Sequence, residues 1–366
     1  MIPRVLIHCG LVALLCACTP HADIRPREVP EDTGSTVNVL VGTTRAKTPD
    51  GLYHPSKRDR ISFAEVAVSV PPRHEVGRVE IGDDPSRHFM TRRLQPLSDQ
   101  GYRAAITRKL RQNPDWNGEV FIFIHGYNNT LADGVFRTAQ MKQDLPIDAL
   151  PVHYAWPSSG TAIGYPHDRD SVLYARRGLQ DLIEETAAAG AQSIILLAHS
   201  LGSQVTLETL RQMSLSGRGA AWDRINGVAL MAPDMDVDVF NAVIDDIGEL
   251  PQPFLVFTSS RDRALRVSAQ VTGHDRRVGN LETVEPIAQH DIVVLDVSEF
   301  RDTRNVHMTV VSSPTLIKLS ENRQKMADAF QSGASAQAGL IPGTIIAVQN
   351  ATAVLLDPAQ IQHTGQ

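Results

Sequence analysis

Residues 194–203 read Ile-Ile-Leu-Leu-Ala-His-Ser-Leu-Gly-Ser, and residues 204–210 continue Gln-Val-Thr-Leu-Glu-Thr-Leu. The unbroken apolar run suits a strand buried on both faces, and the continuation has helical character. Between them Ser200 stands at the apex of a tight strand-to-helix turn. The spacing is that of G-x-S-x-G, with Ala198 in place of the first glycine. Such a turn tolerates only small residues two positions either side, because larger Cβ groups would collide where strand and helix meet. Ala198 and Gly202 meet that demand. The hydroxyl then sits at the C-terminal end of the sheet, above a helix N-terminus that favours an anion, with the Leu201 N–H available as donor. A serine N-cap in an ordinary strand–helix loop is the plainer reading of the pentapeptide alone. The flanking strand and helix favour a nucleophile.

The same alternation extends in both directions. Upstream, Val120–Ile124 and Pro151–Trp156 are apolar strand candidates, and residues 168–189 form an amphipathic helix stopped by Gly190. Downstream, Val228–Met231, Phe254–Thr258 and Ile292–Val297 follow with helical stretches between most of them. Buried strands alternating with helices predict an α/β fold: a mostly parallel sheet with helices on both faces. Two earlier strands, Val37–Gly42 and Ile61–Val70, predict an antiparallel N-terminal edge. An apolar patch at 345–356 fits an edge strand, a docking segment or a partner site equally well.

A serine needs a base, an orienting acid and donors for the oxyanion. His125-Gly126 closes the strand 120–124, and a His-Gly turn there supplies the second oxyanion N–H, assigned to Tyr127. Gly126 permits close approach, and His125 is read as pinning the loop. Four histidines follow Ser200. His290 precedes a strand, His274 lies beyond a helix and His363 lies in the tail, whereas His307 follows the last core strand by a loop and returns to the catalytic end. His307 is therefore the base. Asp262, at a strand end running into a helix, is the acid that can reach it. Asp234 is the alternative, Asp302 a weaker candidate, and helix capping is the plainer role for Asp234 and Asp236.

The blocks FIHGYNNT (123–130), HYAWPSSG (153–160), LAHSLGS (197–203), LMAPDMD (230–236), SSRDRAL (259–265) and the late His307 together resemble a bacterial α/β-hydrolase family of unknown function, some of whose members look like lipoproteins. The resemblance spans roughly residues 37–325. It implies an α/β-hydrolase fold, a Ser200–Asp262–His307 triad and esterase-like activity, and it supplies no substrate.

The N-terminus carries a separate signal. Arg4 precedes an apolar run from Val5 to Cys16 that is too short to span a membrane and reads as a secretory leader. Its end, Leu15-Cys16-Ala17-Cys18, resembles the bacterial lipobox. That implies cleavage after Ala17 and acylation of Cys18, and Thr19 after the cysteine suggests the outer membrane, facing the periplasm. All three cysteines lie in this stretch, so a mature chain keeps only the capped Cys18 and forms no disulfide. The chain thus divides into a signal peptide (1–17), an acylated Pro- and charge-rich tether (18–36), the hydrolase domain (37–331) and a tail of unassigned role (332–366).

Composition sets limits. Of 366 residues, 42% are hydrophobic and 21% charged, which excludes a disordered chain or a multi-span membrane protein. The net charge of −6 without a basic run gives no footprint for nucleic acid. Nucleotide-loop and H-E-x-x-H zinc motifs are missing, so no cofactor or metal is expected. The expected partners are a small-molecule ester and, through the lipid anchor, a membrane; a protein partner is left unknown. The expected function is serine ester hydrolysis. The alternatives are acyl transfer by the same triad, or a non-catalytic envelope scaffold. No long insertion resembles a lipase lid, which favours small or soluble esters.

Overall fold

The computed structural model describes residues 21–273, 276–303, 305–320, 343–348 and 351–356. The leader, Cys18, His274 and His363 lie outside the described residues. In chain order the elements are β1 (Ser35–Lys47), β2 (Tyr53–Val70), β3 (Met90–Leu97), α1 (Asp99–Gln112), β4 (Glu119–Ile124), α2 (Leu131–Asp144), β5 (Leu150–Ala155), α3 (Tyr165–Ala188), β6 (Ser193–His199), α4 (Leu201–Leu215), the short α5 (Gly219–Trp222), β7 (Ile225–Met231), α6 (Val237–Ile247), β8 (Phe254–Thr258), α7 (Arg263–Thr272), β9 (Val293–Asp296), α8 (Thr309–Ser312), α9 (Pro314–Ser320), β10 (Gly343–Val348) and β11 (Ala351–Leu356).

One sheet holds every described strand, in the order β10-β11-β9-β8-β7-β6-β4-β5-β1-β2-β3. From β11 to β1 all neighbours are parallel. The expected antiparallel N-terminal edge is present as β1-β2-β3. A second antiparallel edge is the β10–β11 pair, so the described backbone of the apolar patch, 345–348 and 351–356, lies in the sheet, with β11 parallel to β9.

β4 illustrates why the sheet is covered on both faces. Val120, Ile122 and Ile124 join the large core formed with Tyr102, α3, α4 and α6. Phe121 and Phe123, pointing the other way, pack with Met141, Met231 and Val311. The chain places β5 on one side of β4 and then crosses to lay β6 on the other. The strand order therefore reverses between β4 and β6, and ligands of open α/β sheets bind at the carboxyl ends of strands flanking such a reversal. His125-Gly126 and Ser200 are the residues that leave those two strand ends.

The expected tether is in part bound to the body. His21 lies 2.6 Å from Asp133, and the Ala22 N–H donates to the same carboxylate. The Arg27 N–H donates to the Thr91 carbonyl, and the Arg92 guanidinium donates to the carbonyls of Val29, Pro30 and Thr33. Polar composition concealed this docking, because it runs largely through backbone carbonyls and one capping carboxylate, although Ala22 and Ile24 also pack on the core formed with β1, β2 and α2.

Candidate active site

Ser200 joins β6 to α4 with φ 53° and ψ −125°, a backbone conformation rarely adopted by a non-glycine residue. Its N–H donates to the Met231 carbonyl at 2.9 Å, which ties the turn to β7. Its side chain forms no cap on α4, and its carbonyl accepts from the Ser203 N–H at 2.9 Å. The small neighbours have concrete reasons. A Cβ on Gly202 would lie 2.5 Å from the carbonyl oxygens of both Ile124 and His125, and Ala198 is fully buried. A Cβ on Gly126 would lie 2.7 Å from the Ser200 Cβ and 2.8 Å from His199 Nδ1. The loop after β4 is thus packed directly on the serine, as close approach of an oxyanion donor requires.

That loop is held from beneath. The His125 ring stacks on Trp156 at 5.0 Å, and the Trp156 indole N–H donates to the His125 carbonyl at 2.6 Å. His125 Nδ1 lies 2.8 Å from the Gly126 carbonyl oxygen, and Nε2 lies 3.1 Å from the Trp156 carbonyl oxygen and 3.5 Å from the Arg45 guanidinium. Burial, reinforced by Arg45, pushes the His125 pKa well below its ordinary value, so the ring stays neutral. It pins the loop, as expected. The buried Arg45 guanidinium donates to the carbonyls of Asn129, Ser158 and Pro55. Asp168, also buried, accepts from the Ser158 hydroxyl and the Ser159 N–H at 2.5 and 2.7 Å. The Tyr127 hydroxyl donates to the carbonyls of Thr161 and Ala162. These groups lock the 125–130 loop to the 157–164 loop.

His307 and Asp262 meet. His307 Nδ1 lies 2.6 Å from Asp262 Oδ2. The other carboxylate oxygen accepts from the Ala264 and Leu265 N–H groups and caps α7. Burial raises the Asp262 pKa, but the hydrogen bond from His307 and the positive charge it can carry outweigh burial and hold the carboxyl below its usual range. His307 sits in a single 3₁₀ turn, Val306–Met308, whose entry is fixed by the Asn305 side chain. Its carbonyl accepts from His199 Nε2 at 2.8 Å, and the two rings pack edge to face at 4.6 Å. His199 precedes Ser200, so this bond ties the His307 turn to the serine turn. Burial and the neighbouring His307 drive the His199 pKa down to about 3, which leaves it a neutral donor.

The remaining candidates have other roles. Asp234 accepts from the Ser268 and Tyr165 hydroxyls and pairs with the fully buried Arg277 at 3.3 Å. It is engaged away from His307. Asp236 caps α6, and Asp302 accepts from Ser313 and the Thr315 N–H. His290 bonds Asn241 on α6. Arg45, Asp168 and His199 were not expected at the site. A lone arginine at the end of an apolar strand was the one trace of Arg45; Asp168 reads as an ordinary acid in a first helical turn, and His199 as part of the turn motif.

A cavity of about 560 Å³ opens beside the His307 turn, lined in part by Arg78, Arg137, Asn305 and Met308. It flanks the turn rather than Ser200. Among the described residues no group of three or more His, Cys, Asp or Glu side chains could hold a metal ion, and no helix is long and apolar enough to cross a membrane.

The sheet order and the turn geometry are those of a hydrolase fold. Residues 99–323 match the family described as "Alpha/beta hydrolase of unknown function (DUF900)", and the chain belongs to that family. Among solved structures it is similar to a protein from Agrobacterium vitis S4 that is provisionally named a hydrolase, at 12% identity and a TM-score of 0.33, over 80% of this chain and 98% of that one. Comparison with curated proteins finds no match.

Proposed function

We propose that the protein is a serine hydrolase of carboxylic esters, held at the membrane by acylated Cys18. The observation that carries the reading is the 2.6 Å His307–Asp262 pair, tied through His199 to the strained Ser200 turn. An ionised Asp262 accepts only, so His307 Nδ1 carries the proton and Nε2 is left basic. Nε2 takes the Ser200 hydroxyl proton as Oγ attacks the carbonyl carbon. The Leu201 and Tyr127 N–H groups receive the charge that develops on the carbonyl oxygen. The ester C–O bond breaks, the departing alcohol takes the proton from Nε2, and an acyl-enzyme remains. Water, deprotonated by His307, then releases the acid and restores Ser200. The lipobox-like sequence ending at Cys18 supports anchoring at the periplasmic face of the outer membrane.

Turnover of p-nitrophenyl acetate by the wild type and by Ser200→Ala and His307→Ala tests the chemistry. Both variants should fall by about 10³-fold or more in kcat. Unchanged turnover by Ser200→Ala overturns the serine mechanism, and unchanged turnover by His307→Ala overturns the assigned base.

A further inference from the structure

The N-terminal segment docks along the body, and the first described residue of that segment, His21, docks beside the site. His21 Nδ1 bonds Asp133 in the first turn of α2, and Nε2 donates to the Gly160 carbonyl at 3.0 Å. Gly160 belongs to the 157–164 loop, which is locked to the oxyanion loop by Tyr127, Asp168 and Arg45. Cys18 is three residue steps from His21, a span of at most about 11 Å. The body is much deeper than that, since α3 alone has 24 residues and runs about 36 Å away from this loop. The end of the body that carries Gly160, and with it the adjoining Ser200 turn, therefore lies within reach of the surface into which an acyl chain on Cys18 inserts.

Near that end, apolar side chains are left uncovered by the described residues. Ile163, in the docked loop, is 91% exposed. Two residues on, the Tyr165 hydroxyl bonds Ser268 of α7, and the same helix exposes Val267 (58%) and Val271 (67%). Isolated exposed apolar residues are ordinary on a protein surface. Here Ile163 lies in the same loop as Gly160, on which the bound tether ends.

We propose that the Ser200 rim is held face-down on the bilayer, with Ile163 entering the headgroup region, so that the site draws amphiphilic esters from the membrane surface. The inference rests on the proposed acylation of Cys18 and replaces the expectation of small soluble esters. Membrane contact at the rim does not depend on turnover, so the two can fail separately.

The mature chain has no thiol beyond Cys18, so Ile163→Cys and Leu215→Cys each offer one site for an environment-sensitive NBD label. Leu215 is 68% exposed and ends α4, about 22 Å from Ser200 along that helix. Lipidated full-length protein is reconstituted in phosphatidylethanolamine/phosphatidylglycerol vesicles. NBD emission at 163 should rise about threefold and shift to the blue, with no change at 215. Equal responses at the two positions overturn the orientation. Failure of wild-type protein to incorporate clickable palmitate in cells, or equal incorporation by Cys18→Ala, overturns the anchor and the orientation with it. For the substrate, a flexible twenty-residue Gly/Ser insertion after Thr19 should lower turnover of a bilayer-embedded long-chain p-nitrophenyl ester about tenfold or more relative to p-nitrophenyl acetate. A ratio unaltered by the insertion overturns the delivery of substrate from the membrane.

Discussion

Asp262 shows how one carboxylate serves two structures at once. One oxygen caps α7 and the other holds His307. Asp262→Asn separates the roles, since asparagine caps a helix as well as aspartate does. Its amide nitrogen, however, would donate towards His307 and favour the wrong tautomer. We expect kcat for p-nitrophenyl acetate to fall about 10⁴-fold with little change in Tm. Asp234, the alternative acid from sequence, should behave in the opposite way. Asp234→Ala leaves the buried Arg277 without its counter-charge, at a cost of about 3–5 kcal/mol in denaturant unfolding, while kcat measured on the folded protein stays within about threefold. The two aspartates could be ranked from sequence by their strand ends. Their partners could not, because Arg277 and Tyr165 are far from Asp234 in the chain.

At the scale of elements, the turn at Ser200 and the loop at Gly126 form a single unit. Gly126→Ala would push a methyl group against the Ser200 Cβ and His199. The 125–130 loop must then withdraw, and kcat should fall about 10²-fold or more while stability drops by about 1–3 kcal/mol. A Gly126→Ala enzyme with wild-type kcat would show that the loop plays no part in the reaction. The central strands were legible because continuous apolar runs leave little choice; β8 was read with its observed bounds, Phe254–Thr258. Edge elements were not. β3 reads Met-Thr-Arg-Arg-Leu-Gln-Pro-Leu, and an edge strand can carry arginines and a proline because one side faces solvent. The first half of β2, residues 53–60, was missed for the same reason, since its exposed charges break the alternation. Periodicity also gave no sign of the docked 21–34 segment, and it left the 345–356 patch open between an edge strand and a partner site.

Across the whole molecule, buried histidines pull the pH dependence of stability in two directions. Burial pushes His153 and His199 down to about 3 from an ordinary 6.5. Their contribution is therefore full above pH 6.5 and drains away as the pH falls towards 3, because the unfolded chain takes up protons that the folded chain refuses. His74 works in reverse. Burial opposes its charge, but Asp144 at 2.8 Å and Glu80 at 3.0 Å, one on each ring nitrogen, outweigh it and raise the pKa to about 9. That contribution is full below pH 6.5 and lost as the pH rises through 9. Thermal unfolding should give the highest Tm near neutrality. His74→Phe should flatten the alkaline limb between about pH 7 and about pH 9.5 and leave the acid limb in place. An alkaline limb as steep in His74→Phe as in the wild type would remove that assignment.

The central claim is that the fold makes one hydroxyl reactive. Its most direct test is a fluorophosphonate probe, followed by mapping of the modified peptide by mass spectrometry. The probe should modify the wild type at Ser200 alone and leave Ser200→Ala unmodified. Stoichiometric modification of another residue, or a folded wild type that resists the probe while turning over p-nitrophenyl acetate, would contradict it.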